Sequence, residues 1–456
     1  MKKNNIFNAR KMIFRLLVLS IFFTSCDDFL EESSPIGLSQ SKLTDLPSMS
    51  ALVNGSYSNM RAFYAYQSMI TSGFVRDYVI RNSANWTPYY KWTTSGVPEM
   101  FSSNTYTEGY KVLNKVNTVL NANVNDMYGT TAEKSKILGD AHFLRAAVYF
   151  QINNFFTDPS TGNSAPLVTT VLGTNDKVTV ATSDAIKAQI EADIESAREH
   201  FAVANGVSTH TAATAMAARI YFYHGKYSLA YDRANEAINA GGHSLEANVA
   251  DIYNKGATSA EAIYTIITNR SEDTHGPQII GYNNMQADKD EGTASLNPNS
   301  LIGQLRSADP TDSRFTDLFT EADGLVYADK KYPSLDADYI VLRLAEMYLT
   351  RAEANIMVNN AVSTQDVADV NMVKNRAGAA DTVTGTPAVA TMLDVIFNER
   401  SKELCFEYGD RFLNSRRLQK SIVDESGSGT VPYANYNTIL VYPLPLSEVN
   451  IHNLQR

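Results

Sequence analysis

Cysteine is almost missing from this chain of 456 residues: two are present, Cys26 and Cys405. One lies at the end of an export leader and would be acylated there, so no intrachain disulfide remains and the fold must rest on a buried core. No run reaches the roughly 20 consecutive apolar residues that a bilayer-spanning helix needs. Histidine is scarce as well, with seven scattered residues that show no metal-ligand spacing. The patterns H-E-x-x-H, G-x-S-x-G, G-x-x-x-x-G-K-[ST], G-x-G-x-x-G and C-x-x-C are all absent, and with them the commonest routes to metal, nucleophilic and nucleotide chemistry. Positive charge is in deficit, 39 basic against 49 acidic residues for a formal net of −10. That balance disfavours nucleic acid and anionic membrane surfaces as partners. The expectation is a binding protein without cofactor or metal, not an enzyme.

What the chain does have begins at residue 1. Lys2, Lys3, Arg10, Lys11 and Arg15 precede the apolar run Leu16, Leu17, Val18, Leu19, Ser20, Ile21, Phe22, Phe23. This is the order of an export signal. Thr24, Ser25 and Cys26 follow, small residues before a cysteine, as at the end of a bacterial lipoprotein leader. Residues 1–25 are therefore expected to be removed and Cys26 to carry the lipid, with two or more acyl chains needed for a stable anchor. Removing the five basic residues of the leader, which holds no acid, takes the net charge from −10 to −15. Residues 26–40, from Asp27, Asp28, Phe29, Leu30, Glu31 and Glu32 into Pro35, read as an acidic tether.

Helical period dominates the rest. Apolar residues recur at helical spacing over about 42–64, 107–122, 131–156, 183–201, 209–224, 227–240, 339–358, 365–377 and 388–407, whereas strand signals are few and short. Ser183 or Asp184, and Thr209 or Thr211, are expected to cap two of these helices. Between about 241 and 338, glycine, proline, asparagine and aspartate interrupt every pattern, as in Asn297-Pro298-Asn299, so this stretch reads as a loop-rich insertion. Gly225 in Tyr223-His224-Gly225-Lys226-Tyr227 separates two helices, with Ala218 and Tyr221 before it and Ala230, Ala234 and Ala237 after it. This is tetratricopeptide spacing, in which small residues let antiparallel helices approach closely. Ala146-x-x-Tyr149-Phe150, Ala218-x-x-Tyr221-Phe222 and Ala345-x-x-Tyr348-Leu349 repeat one pattern at unequal intervals, as helix pairs with long insertions would.

These residues, taken in order, resemble the SusD/RagB family of nutrient-binding outer-membrane lipoproteins. The resemblance is carried by Cys26-Asp27-Asp28-Phe29-Leu30, by Ala141-His142-Phe143-Leu144-Arg145-Ala146, and by Thr211 through Tyr227. It continues in Arg343-Leu344-Ala345-Glu346 through Ala354, and in Val370-Asn371-x-Val373-x-x-Arg376-Ala377-Gly378. Its last carriers are Glu399-Arg400-x-x-Glu403-Leu404-x-Phe406-Glu407 with Gly409-x-Arg411-Phe412, and Tyr442-Pro443-Leu444-Pro445. Asn414 departs from the family's usual aspartate, and the usual closing stretch after Gln455-Arg456 is missing, which implies a lost C-terminal clasp. The resemblance implies a mainly α fold of irregular tetratricopeptide-type helix pairs in one domain, 41–456. Its repeat core would span about 107–240 and 339–420, and its ligand-binding regions about 63–105 and 241–338.

Two candidate sites compete. Glu399 and Glu403, at i and i+4 on one helical face, are the carboxylate pair that glycoside hydrolysis needs. Arg400, Lys402, Arg411, Arg416 and Arg417 crowd the same stretch, so ion pairing is the expected role. Asp288, Asp290 and Glu291 could hold calcium, although an acidic surface loop is the commoner meaning of such a cluster. The stronger signal is tryptophan: both residues, Trp86 and Trp92, fall in Asn85-Trp86-Thr87-Pro88-Tyr89-Tyr90-Lys91-Trp92. Four rings around Pro88 without a helical or strand period are difficult to bury on one face, so some are expected to meet solvent. Flat rings suit the C–H face of a sugar. Trp86, Trp92, Tyr89, Tyr90 and Tyr66 are thus candidates for stacking, with Arg81 and Asn85 for hydrogen bonds, and Tyr64 in the same region. Tyr282 and Asn283, near His275, Gln278 and Asn284, form a second candidate patch. The resemblance implies an oligosaccharide ligand and a TonB-dependent, SusC-like outer-membrane transporter as partner. A captured peptide or a protein-binding helical scaffold are the alternatives.

Overall fold

Helix boundaries follow local chemistry wherever a side chain can satisfy the free backbone N–H groups of a first turn. The computed structural model describes residues 43–80, 99–173, 175–268, 281, 283, 285, 294–424 and 429–455. Helix α1, Leu46–Tyr64, starts where the Asp45 carboxylate accepts from Ser48 N at 2.9 Å, and it buries Met49, Val53, Met60 and Phe63. After α2, Gln67–Phe74, and α3, Glu99–Leu120, the long helix α4, Thr131–Phe156, opens on a capping box. There Glu133 N donates to Thr130 Oγ1 and Thr130 N to the Glu133 carboxylate. Helices α5, Ser183–Val203, α6, Val207–Tyr223, and α7, Tyr227–Asn239, complete the first row. Among the described residues, the insertion holds short helices: α8, Val249–Lys255, α9, Leu301–Ala308, and α10, Arg314–Leu318. Beyond it come α11, Leu344–Asn359, α12, Thr364–Arg376, α13, Val389–Glu403, α14, Asp410–Arg417, α15, Tyr433–Tyr436, and α16, Leu446–His452.

Neighbours pack in series. Helix α1 lies on α3, α3 on α4, α4 on α5, α5 on α6 and α6 on α7; α7 then packs on α11, and α11 on α12 and α13. The repeated Ala-x-x-Tyr pattern marks the contact face: Ala146, Tyr149, Ala218 and Ala345 are fully buried, and Tyr221 nearly so. Between α6 and α7, Gly225 adopts φ +74° with no atom within 4 Å of the position a Cβ would take. Lys226 N donates to Tyr221 O across this turn at 2.9 Å. Since only backbone strain opposes a side chain here, Gly225→Ala is expected to cost about 1 kcal/mol in urea unfolding. A loss several times larger would mean that the turn is crowded, not open.

Local pattern fails where tertiary partners take over. The expected helix 339–358 is a strand over Tyr339–Arg343 followed by a helix from Leu344. All five strand residues are buried and pair antiparallel with Ala262–Ile266, and a short apolar run buried on both faces has no period that distinguishes strand from helix. Two expected caps also differ: Thr182, not Ser183 or Asp184, caps α5 through Ala185 N. Helix α6 begins at Gly206 without a side-chain cap, while Thr209 Oγ1 bonds back to Gly206 O. The last predicted helix stops at Glu403, four residues early, because Phe406, Tyr408 and Gly409 all take positive φ. Cys405 therefore lies in a buried turn, not in a helix. Asn414 is buried and donates to Tyr223 Oη at 3.0 Å while accepting from Arg417, a dual role that an ionised aspartate could not fill.

Candidate ligand-binding face

The two sequence regions singled out for ligand contact meet at their base. Strand Tyr78–Ile80 pairs antiparallel with Ala294–Leu296, in the register Tyr78 to Leu296, Val79 to Ser295 and Ile80 to Ala294. The segment that follows Ile80 in sequence carries both tryptophans, and Ala294 lies within the insertion. A ribbon of three residue pairs thus joins parts of the chain more than 200 positions apart. It is pinned from below: Asn297 N donates to Asp77 O and Asn297 Nδ2 to Arg76 O, both at 2.9 Å, and Asp77 forms an ion pair with Arg411. Arg411 belongs to the C-terminal charged motif, so that motif secures the ribbon.

Arg81, Asn85, Trp86, Tyr89, Tyr90, Trp92 and Tyr282 lie outside the described residues, as do His275, Gln278, Asn284, Asp288, Asp290 and Glu291. Asn283 is exposed. Tyr66 is half-buried, its ring edge-on to Phe101 at 4.7 Å, and burial pushes its hydroxyl pKa up. Tyr64, grouped with the sugar-facing rings by sequence position, is fully buried against Phe63 and Tyr339 and offers no face to a ligand. Helical spacing explains the difference: the Phe63–Tyr64 end of α1 turns both rings into the core.

Sequence reasoning did not anticipate an open cavity of about 330 Å³ between α3, the 168–178 loop and α16. Tyr106, Tyr110, Lys111, Asn114, Glu448 and His452 are among its lining residues. Its sequence signal is the i, i+4 tyrosine pair, whose rings lie 4.3 Å apart. No charge of one sign dominates it.

The carboxylate pair Glu399 and Glu403 is out of reach of any sugar, since both side chains are completely buried. Arg314 donates to Glu399 at 2.6 Å and to Glu403 at 3.0 Å. Arg343 bridges Glu403 at 2.5 Å, Glu261 at 2.8 Å and Glu407 at 2.9 Å. Arg376 joins Glu261 to Glu403, and Lys331, Lys374 and Lys402 complete the balance around Glu407 and Glu399. Burial alone would push these carboxyls up in pKa, but the arginines and lysines overcome it: Glu407 is held at about 2 and Glu403 well below the usual carboxylate range. Neither can act as a general acid near neutral pH. Ion pairing was the role expected of the pair, yet the arginines that hold it come mainly from other elements, not from the adjacent Arg411, Arg416 and Arg417. Among the described residues no group of three or more His, Cys, Asp and Glu side chains is placed to hold a metal ion, and no helix is long and apolar enough to cross a membrane.

Comparison with known proteins is consistent along the chain. Residues 323–442 match a family model described as the SusD family, and residues 28–222 match one described as starch-binding associating with outer membrane. A curated SusD-like protein of Formosa agariphila is 24% identical over 422 residues, covering 78% of each chain. A solved SusD superfamily protein of Bacteroides thetaiotaomicron superposes with TM-score 0.76 at 21% identity, covering 90% of this chain and 99% of its own. A SusD-like carbohydrate binding protein of Bacteroides vulgatus gives TM-score 0.74 at 15% identity, over 90% and 97%.

Proposed function

The chain belongs to the SusD/RagB family, and from that premise we propose that it captures an oligosaccharide at the cell surface and delivers it to a TonB-dependent, SusC-like outer-membrane transporter. The family is one of binding proteins, not enzymes, with sugar binding and outer-membrane association in its descriptions. The observation that carries the reading is the pairing of Ile80 with Ala294, which gives the tryptophan segment and the insertion a common base. Rings from the first and amide or cationic groups from either would then serve one ligand: Trp86, Trp92, Tyr89, Tyr90 and Tyr66 by stacking, Arg81, Asn85, Tyr282 and Asn283 by hydrogen bonds. Cys26, after Thr24 and Ser25, supplies the lipid that holds the protein in the outer membrane.

Calorimetry of the chain from Asp27 onward against a panel of oligosaccharides, with unstructured peptides beside them, tests the ligand class. Binding of an oligosaccharide that is recovered at its original length is the expected result. Binding of peptides alone, or recovery of shortened sugars, would overturn it. Mass spectrometry of the native protein tests the anchor, which requires a chain starting at an acylated Cys26.

A further inference from the structure

A second cavity, of about 240 Å³, is built from elements other than the ribbon. It opens where the end of α4, the start of α5, helix α14 and Tyr433 converge. Its charged lining residues are Lys187, Arg416 and Arg417, with no carboxylate among the lining residues, in a protein whose formal net charge is −10. Three cations gathered without an acid in an acidic protein require an account.

Two of them have carboxylate partners outside the cavity. Arg417 donates to Glu353 at 2.5 Å and to Asn414, and Lys187 reaches Asp184 at 3.4 Å, a carboxylate that is 92% exposed and therefore weakly held. Tyr223, also in the lining, donates to Asp410. Arg416 differs. Among the described residues no carboxylate forms an ion pair with it; its guanidinium donates to Asn154 O at 2.9 Å and lies 5.5 Å from the Phe412 ring. Burial lowers its pKa from the ordinary value, opposed only by the hydroxyls of Tyr433 and Tyr436. Arg416 is half-buried, and a partly desolvated cation without a counter-charge gains when an anion enters.

A further donor points the same way. Asn154 Nδ2 is buried without a hydrogen-bond partner, in a residue that lines the cavity. The rim also includes Ser183, the first residue of the 21-residue helix α5, whose N-terminal dipole favours negative charge. A planar guanidinium, an amide N–H, an ammonium and a helix N-terminus around one small space match the donor demand of a carboxylate or sulfate.

We propose that the cavity between α4, α5 and α14 binds an oxyanion, with Arg416, Asn154 and Lys187 as its donors. The cavity is open to solvent and admits a carboxylate or sulfate group either free or borne by an acidic sugar. None of the lining residues belongs to the tryptophan segment, and the site stands whether or not that segment binds glycan.

The experiment is calorimetric titration of the chain from Asp27 onward with sodium sulfate, galacturonate and galactose, at constant ionic strength so that general screening does not change. Sulfate or galacturonate is expected to bind and galactose not to. Arg416→Gln and, separately, the more exposed Lys187→Gln should each weaken anion binding by about tenfold or more, whereas Lys134→Gln, which removes an equal charge elsewhere, should leave it unaltered. Binding of sulfate alone assigns the site to a free anion, and tighter binding of galacturonate assigns it to an acidic sugar. No binding of either anion, equal binding of galactose, or an unchanged affinity in Lys187→Gln would overturn the proposal, even if Arg416→Gln fails to fold.

Discussion

Glu403→Gln is expected to lower the unfolding free energy by about 3–5 kcal/mol, the usual cost of removing one member of a buried ion network. Glu403 accepts from Arg314, Arg343 and Arg376, so the amide leaves three buried guanidiniums short of one shared counter-charge. An amide also presents an N–H₂ toward donors that need an acceptor, which adds to the loss. Urea unfolding at pH 7 provides the check: the midpoint should fall while the slope is retained. A change below about 1 kcal/mol would mean that the network is not a keystone of the fold.

The same variant should reveal the pH dependence. Glu403 and Glu407 have folded-state pKa values below the ordinary glutamate value of 4.5. A depressed carboxyl stabilises the fold above its unfolded pKa, and this contribution is lost as pH falls through the folded value. Between pH 4.5 and about 2 the unfolded chain binds protons that the folded chain resists, so wild-type stability should decline across that window. Because the glutamine cannot titrate, the gap between wild type and Glu403→Gln should narrow below pH 4.5. A constant gap down to pH 3 would show that Glu403 is not held ionised by its arginines.

Trp86→Ala and Trp92→Ala are each expected to weaken oligosaccharide binding by about 30-fold, equivalent to about 2 kcal/mol, as for a central aromatic anchor of an interface. The expectation rests on composition and place: these are the only two tryptophans of the chain, and their segment starts at the ribbon that also includes a strand of the insertion. Stability should change little if the rings meet ligand, and should fall by about 3–5 kcal/mol if they anchor a core instead. Calorimetric affinity and urea unfolding, measured on both variants, separate the two outcomes. Unchanged affinity in both would remove this segment as the sugar site.

How far the sequence carries can be seen in particular elements. The α4 start was foreshadowed by its period and realised by the Thr130–Glu133 capping box, because helix period and capping are interactions within a few residues. The turn at Gly225 was legible for the same reason. The strand Tyr339–Arg343 was not, since its state is decided by a partner some 77 positions away, and a run buried on both sides carries no face pattern. The burial of Tyr64 was equally hidden, because helical spacing names a face but not what that face meets. The cationic cavity escaped notice because Asn154, Lys187 and Arg416 come from three helices.

By itself the sequence determined the helical class and the family, because each is written in local spacing or in motifs kept in order. The tertiary structure alone decided which charges pair and which regions share a base. Arg314 and Glu399 are 85 positions apart and Arg343 and Glu403 are 60, and such pairs are selected by the shape of the buried space, to which one-dimensional charge patterns are blind.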